Sequence, residues 1–155
     1  MTAQRAAARR LGQDGVVERV RVAGYAWAER DDSVLLVRIA PHELGAGRWS
    51  LPGGGLAFGE DPALGVLREL REETGLEGVV EALLGVRSAM LEPDQTKSGH
   101  RIQNLGILYR VAVTGGELRN EVDESTDLAA WIPFAGLDDL PAVPLVAWAR
   151  ALVGR

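Results

Sequence analysis

Cysteine is absent from the 155 residues. No disulfide framework, thiolate zinc site or cysteine nucleophile can therefore be built from this chain, and a reducing cytosol suits it. Long apolar runs are missing too. Stretches such as Val34 to Val37 are far too short to span a bilayer, and no apolar leader-like segment follows the basic N-terminal residues. The expectation is a soluble, cytoplasmic protein with no membrane partner. Basic charge is in deficit: 17 Lys and Arg face 22 Asp and Glu, a net charge of −5. Nucleic-acid binders usually carry a basic footprint, so a nucleic-acid duplex is set aside as a partner. Internal repeats and low-complexity linkers are also lacking.

What is present suits one domain. A chain of this length buries roughly 68–70% of its unfolded surface, enough for a core without metal or disulfide staples. Residues 1–15 are expected to form an N-terminal arm, with a short basic helix or frayed segment at 2–11 and a turn at Gly12–Gly15. Residues 16–155 are expected to form the single domain. Alternation and Val content predict a strand from Val16 to Trp27, and Asp31-Asp32-Ser33 reads as a turn into a second strand, Val34 to Ile39, with the two pairing as a hairpin. Residues 41–59 hold eight Gly or Pro, which predicts a loop with special backbone needs. Further strands are expected at 79–90, 101–113 and 128–133, separated by polar connections from Glu92 to Gly99 and from Gly115 to Asp127. A C-terminal helix is expected over Pro144 to Leu152, burying Leu145, Val146, Trp148 and Leu152. The mixture gives an α/β (α+β) class. Trp27, Trp131 and Trp148 read as core, and His42 as a surface loop residue.

The helix expected at 62–73 is the informative one. Asp61 is a suitable N-cap, Pro62 suits the first turn, and Gly75 suits the position just past the end. Ala63, Val66, Leu67 and Leu70 share one face at i, i+3, i+4, i+7 spacing. Glu69, Glu72 and Glu73 fall within an arc of about 100°, turned away from that face. Glu69 is a helical neighbour of both other acids, and like charges so placed destabilise a helix by a few tenths of a kcal/mol. They also sit where the helix dipole disfavours anions. A solvated acidic face is one reading. A divalent-cation site is the other, since hard cations take several oxygen ligands.

The segment upstream tips the balance. Gly53-Gly54-Gly55 permits sharp turns and exposes main-chain N–H and C=O groups, and it runs almost directly into the acidic helix. It is not a P-loop, because no Gly-Lys-Ser/Thr follows, and it lacks G-x-G-x-x-G.

Gly54, five residues, Glu60, seven residues, then Arg68-Glu69-Leu70-Arg71-Glu72-Glu73-Thr74-Gly75-Leu76 resembles the box of the Nudix family, G-x5-E-x7-R-E-U-x-E-E-x-G-U with U apolar, and meets every specified position. The resemblance implies a Nudix-type α/β/α sandwich with a mixed β-sheet between helices. It implies hydrolysis, assisted by Mg²⁺ or Mn²⁺, of a phosphoanhydride bond in a nucleoside diphosphate linked to another moiety. Carried onto these residues, Glu69, Glu72 and Glu73 would be metal ligands, completed by a main-chain oxygen of Gly53 or Gly54. Arg68 would orient the glutamates and Glu60 would support them. The general base is open between Glu69 and an acid of the loop holding Glu121, Asp123 and Glu124, of which Glu124 is favoured. Homodimers are common in the family.

Substrate signals are thin. No S-Q-P-W-P-F-P segment follows the box, Pro93 lies close to but not at the spacing associated with ADP-ribose hydrolases, and no Tyr occupies the window linked to dinucleoside polyphosphates. A nucleotide sugar such as ADP-ribose is the first expectation and a nucleoside triphosphate the second. Trp49 and Phe58 flank the glycine loop and are candidates to stack on substrate or to pack internally. His100, Arg101 and Gln103 are candidate substrate contacts at the start of a strand. The alternative function is a Nudix-fold binding or regulatory module without catalysis, although such members usually lack box glutamates that are present here.

Overall fold

Strand period and helix period alternate along the chain, and the computed structural model, which describes residues 10–155, resolves them into two sheets and two α-helices. The strands are β1 (Arg10–Leu11), β2 (Val17–Trp27), β3 (Glu29–Arg30), β4 (Ser33–Ile39), β5 (Trp49–Ser50), β6 (Gly53–Gly55), β7 (Leu76–Leu91), β8 (Arg101–Gly116) and β9 (Thr126–Pro133). The helices are α1 (Pro62–Thr74) and α2 (Pro144–Val153). The first sheet runs β1-β2-β8-β7, with β6 paired to β2. It is mixed, because β2 and β8 are parallel while β7 and β8 are antiparallel. In the second, antiparallel sheet β4 pairs with β3, β5 and β9.

Alternating side chains of the central strands feed two separate cores, as the period of two requires. Ala26 and Leu35 pack with Val66 and Leu70 of α1. Trp27, Val34 and Leu36 point the other way and pack with Val146 and Ala149 of α2. The sheets thus lie between the helices, an α/β/α arrangement of the α+β class.

Several expectations need correction. The predicted helix or arm at 2–11 falls mostly on residues 1–9, outside the described residues; Arg10 and Leu11 are strand, paired with Glu18 and Val17. β2 and β4 do not form a hairpin. The Asp31-Asp32 turn exists, both residues having positive φ (47° and 58°) as a tight primed turn requires, but it joins β4 to the two-residue β3. β2 itself belongs to the first sheet, paired with β1, β6 and β8. The segment 41–59 is not all loop, since β5 and β6 lie within it. β7 and β8 extend beyond the predicted strands, and a single 3₁₀ turn, Pro93–Gln95, lies in the connection between them. In α2 the fully buried positions are Val146 and Ala149, whereas Leu152 is 46% exposed. Trp27 is fully buried. Trp131 and Trp148 are half-buried against the two cores.

Candidate functional site

α1 begins where its sequence says it should. The Asp61 carboxylate accepts from the N–H groups of Ala63 and Leu64 at 2.9 and 3.2 Å, and Pro62 occupies the first turn. Val66 and Leu70 anchor the helix on β2 and β7. That anchoring sets the rotation of the three glutamates.

They are not an exposed face. Glu73 is only 4% exposed, which corrects the expectation that it turns away from the interior. β6 lies along that flank of the helix, and the Gly53 N–H donates to Glu73 Oε2 at 2.9 Å. Gly53 makes this approach with φ of 149°, where an added Cβ would fall 2.1 Å from the Gly24 carbonyl oxygen. Gly54 is constrained by space: its Cβ would meet Glu69 Oε1 at 2.9 Å. Gly53 therefore lets β6 close in on β2, and Gly54 lets the Glu69 carboxylate close in on the loop.

Arg68 is the cation of the cluster. Its Nε and Nη2 donate to the two carboxylate oxygens of Glu60 at 2.7 and 3.0 Å. Nη1 donates to Glu69 at 2.9 Å and to Glu72 at 3.0 Å. Glu60 also accepts from the Ala57 N–H at 2.8 Å, and the Arg68 guanidinium together with that N–H lowers its pKa to about 2. One guanidinium thus serves three carboxylates, and none of its contacts reaches Glu73. Among the described residues Glu73 forms no salt bridge, and burial drives its pKa well up, with the charges of Glu69, Glu121 and Glu72 adding to the effect.

The loop acids are divided by the structure. Glu121 is half-buried, accepts from the Thr126 hydroxyl at 2.9 Å, and lies in the field of Glu69, Glu72 and Glu73. Its pKa is raised, first by burial and then by Glu124, Glu69 and Glu72. Glu124 and Asp123 are exposed. The acid coupled most closely to the helix is thus Glu121, a residue the sequence reading had named but ranked below Glu124.

A cleft of about 180 Å³ opens beside these groups, lined by Arg21, Tyr25, Ser50, Gly53, Gly54 and Glu73 among others. A second cavity of about 370 Å³ adjoins it, with Tyr25 lining both. Of the candidate substrate contacts, Trp49 is buried in the α2-side core, because pairing of β5 with β4 turns its ring inward. Phe58 projects fully into solvent. Arg101 and Gln103 line a different cavity, and Arg101 is taken up by Asp14, Glu18 and Glu92. The β2–β8 register accounts for this: it sets Arg101 opposite Glu18 and Gln103 opposite Val20, whereas Gly53–Gly55 lie across from Tyr25–Ala23. His100 is half-buried, just before β8, and lines neither cavity beside the glutamates. The sequence reading missed Arg21, which lines the cleft, and Asn104, which lines the adjoining cavity. An alternating Val-Arg-Val strand gave no reason to single out its arginine.

The donor set around Glu73 is all oxygen, the preference of hard divalent cations, and its negative charge exceeds what Arg68 can balance. Chemically it fits Mg²⁺ or Mn²⁺. Among the described residues, however, no three acidic or His side chains already stand close enough to share one ion, because Arg68 holds Glu69 and Glu72.

Comparison with known proteins shows the family. The model of the NUDIX domain family matches residues 17–152. An ADP-ribose pyrophosphatase of Methanocaldococcus jannaschii is 37% identical over 113 residues, 73% of this chain and 60% of that protein. The match thus spans less than two thirds of that relative. A putative 8-oxo-dGTP diphosphatase 2 of Mycobacterium tuberculosis is 38% identical over 107 residues, covering 69% of this chain and 68% of the relative. Among solved structures, a NUDIX hydrolase from Nitrosomonas europaea superposes with a TM-score of 0.73 at 24% identity, covering 88% of this chain and 89% of that one. An ADP-ribose pyrophosphatase from Streptococcus suis gives 0.57 at 27% identity, covering 85% and 87%.

Proposed function

The chain belongs to the Nudix family, and on that premise we propose that it is a divalent-metal-dependent hydrolase of a phosphoanhydride bond in a nucleoside diphosphate linked to another moiety. A nucleotide sugar of the ADP-ribose kind is the first substrate class and a nucleoside triphosphate the second. The observation that carries the reading is the buried Glu73, held by the Gly53 N–H beside a cleft and surrounded by carboxylates that one arginine cannot neutralise. The names of the M. jannaschii and M. tuberculosis relatives support both substrate classes.

In this reading Glu69, Glu72 and Glu73 hold Mg²⁺ or Mn²⁺, with a main-chain oxygen of Gly53 or Gly54. The ion would neutralise phosphate charge and polarise the bond to be broken. The chain's own groups do the rest. Arg68 and Glu60 keep the glutamates oriented when substrate enters. Glu121, whose raised pKa makes it a stronger proton acceptor than a solvated carboxylate, takes the proton of the attacking water, ahead of Glu124 and Glu69. The cleft walls position the diphosphate. The protein works in the cytosol on a small-molecule nucleotide, as a monomer or homodimer.

The test is a hydrolysis screen with Mg²⁺ and Mn²⁺ over ADP-ribose, other nucleoside diphosphate sugars, dinucleoside polyphosphates and (d)NTPs, run beside Glu73→Gln. Turnover of one class by the wild type, reduced about 10²-fold or more in the variant, supports the reading and names the substrate class. Silence across the panel, with metal still bound in a calorimetric titration, overturns it in favour of a non-catalytic module. Glu121→Gln and Glu124→Gln separate the proton acceptors: loss of the acidic limb of the pH–rate profile is expected only for the first.

A further inference from the structure

In an acidic chain, cations without carboxylate partners stand out, and three line two cavities that share Tyr25. Arg21 lines the cleft that contains Gly53, Gly54 and Glu73. Arg48 and Arg87 line the adjoining cavity of about 370 Å³, which meets the cleft at Tyr25. Among the described residues none of the three forms a salt bridge. Arg48 donates to the Ala142 carbonyl, and Arg87 stands 6.0 Å from the centre of the Trp148 ring. None of the three has a carboxylate within 4.0 Å among the described residues.

Arg21 is the best placed of them. It lies four residues before Tyr25 on β2 and so shares its face of the sheet. The parallel register puts it directly against Asn104 of β8, and Arg21 Nη1 donates to Asn104 Oδ1 at 2.8 Å. Arg21 lines the cleft and Asn104 the larger cavity, so this hydrogen bond sits where the two meet. Nε and Nη2 lie over the third glycine of the triplet, each 3.3 Å from where a Cβ on Gly55 would stand. An amide accepts one N–H and steers the guanidinium without cancelling its charge, as a carboxylate would. A fork of N–H donors so oriented suits phosphate oxygens.

We infer that Arg21, oriented by Asn104, binds the substrate's diphosphate at the junction of the two cavities, with the bond to be broken toward Glu73 and the nucleoside in the larger cavity beside Tyr25 and Arg87. This rests on the hydrolase reading above and adds the residue that sets how the substrate lies. Arg21 is then a binding residue, and Asn104 a positioning residue that acts through it.

Calorimetric titration of the metal-free protein, in EDTA, with ADP and with inorganic pyrophosphate tests it without turnover. Arg21→Ala is expected to weaken both by about tenfold or more, the scale of one lost charge-assisted contact, with the melting temperature unchanged. Arg21→Lys keeps the charge but loses the fork and should fall between. Asn104→Leu should cost less than Arg21→Ala, and the double variant should bind no worse than Arg21→Ala, as expected of residues acting in series. In steady state with Mg²⁺, Arg21→Ala should raise KM far more than it lowers kcat. Wild-type affinity in Arg21→Ala, additive losses in the double variant, or a wild-type protein that binds neither probe would each overturn the proposal. Binding that depends on Arg21 in a protein that hydrolyses nothing would leave it standing and remove the hydrolase reading instead.

Discussion

Glu73 is the buried acid of the proposed site, and its burial has a measurable signature in metal-free protein. Its pKa is raised in the folded protein above the ordinary 4.5. A group raised in this way leaves stability intact below its unfolded pKa and takes it away as pH climbs through the folded value. In EDTA, the melting temperature of the wild type relative to Glu73→Gln should therefore fall as pH rises from about 4.5 toward neutrality. Saturating Mg²⁺ at neutral pH should remove the deficit. Parallel wild-type and variant profiles in EDTA would contradict the burial argument. Gly54→Ala probes the same spot sterically, since the new methyl would meet Glu69 Oε1 at 2.9 Å; turnover should drop about tenfold or more while α1 stays folded by circular dichroism. Part of this was legible from the helical wheel: Glu73 is i+7 from Val66 and i+3 from Leu70, so it borders the buried face instead of turning away from it. The wheel does not show that β6 covers that border and meets the carboxylate with the Gly53 N–H. Trp49 is a parallel case: beside a glycine loop it could stack on substrate or pack internally, and the pairing of β5 with β4 decides for packing.

At the scale of elements, α1 depends on its first turn, because its last turn carries adjacent acids. Asp61 accepts two main-chain N–H groups there. Asp61→Ala should destabilise the protein by about 1 kcal/mol in urea titration, with an unchanged m-value; a change below a few tenths would mean that docking on β2 and β7 holds the helix without its cap. The cap, the proline and the glycine past the end were all readable, since they are local signals. The partition of strands between two sheets was not. Alternation identified β2 and β4, and the acidic turn between them was real, but which strand crosses into which sheet depends on β8, far along the chain. Asn104 was invisible as Arg21's neighbour for the same reason.

Across the molecule, the division into two cores allows stability and function to be separated. Leu36 lies on the α2 side and Leu70 on the α1 side, both fully buried. Alanine at either site should cost about 2–5 kcal/mol in chemical denaturation. At a temperature where both variants remain folded, Leu36→Ala should retain turnover, whereas Leu70→Ala should lose it, because Leu70 seats the helix that carries the glutamates. Equal losses of activity would show that the two cores move as one.

The parallel pairing of β2 with β8 also governs when during biosynthesis the protein can be finished. Arg21 and Asn104 are 83 residues apart, so at usual elongation rates β2 waits on the order of 4–17 s for its neighbour. Through that interval one long edge of β2 is unpaired, the kind of surface that recruits holding chaperones or, failing them, another nascent chain. Polysome spacing and codon choice between the two strands therefore bear on yield. A chain that ends before residue 101 contains every glutamate of α1 but lacks Asn104, the partner of Arg21.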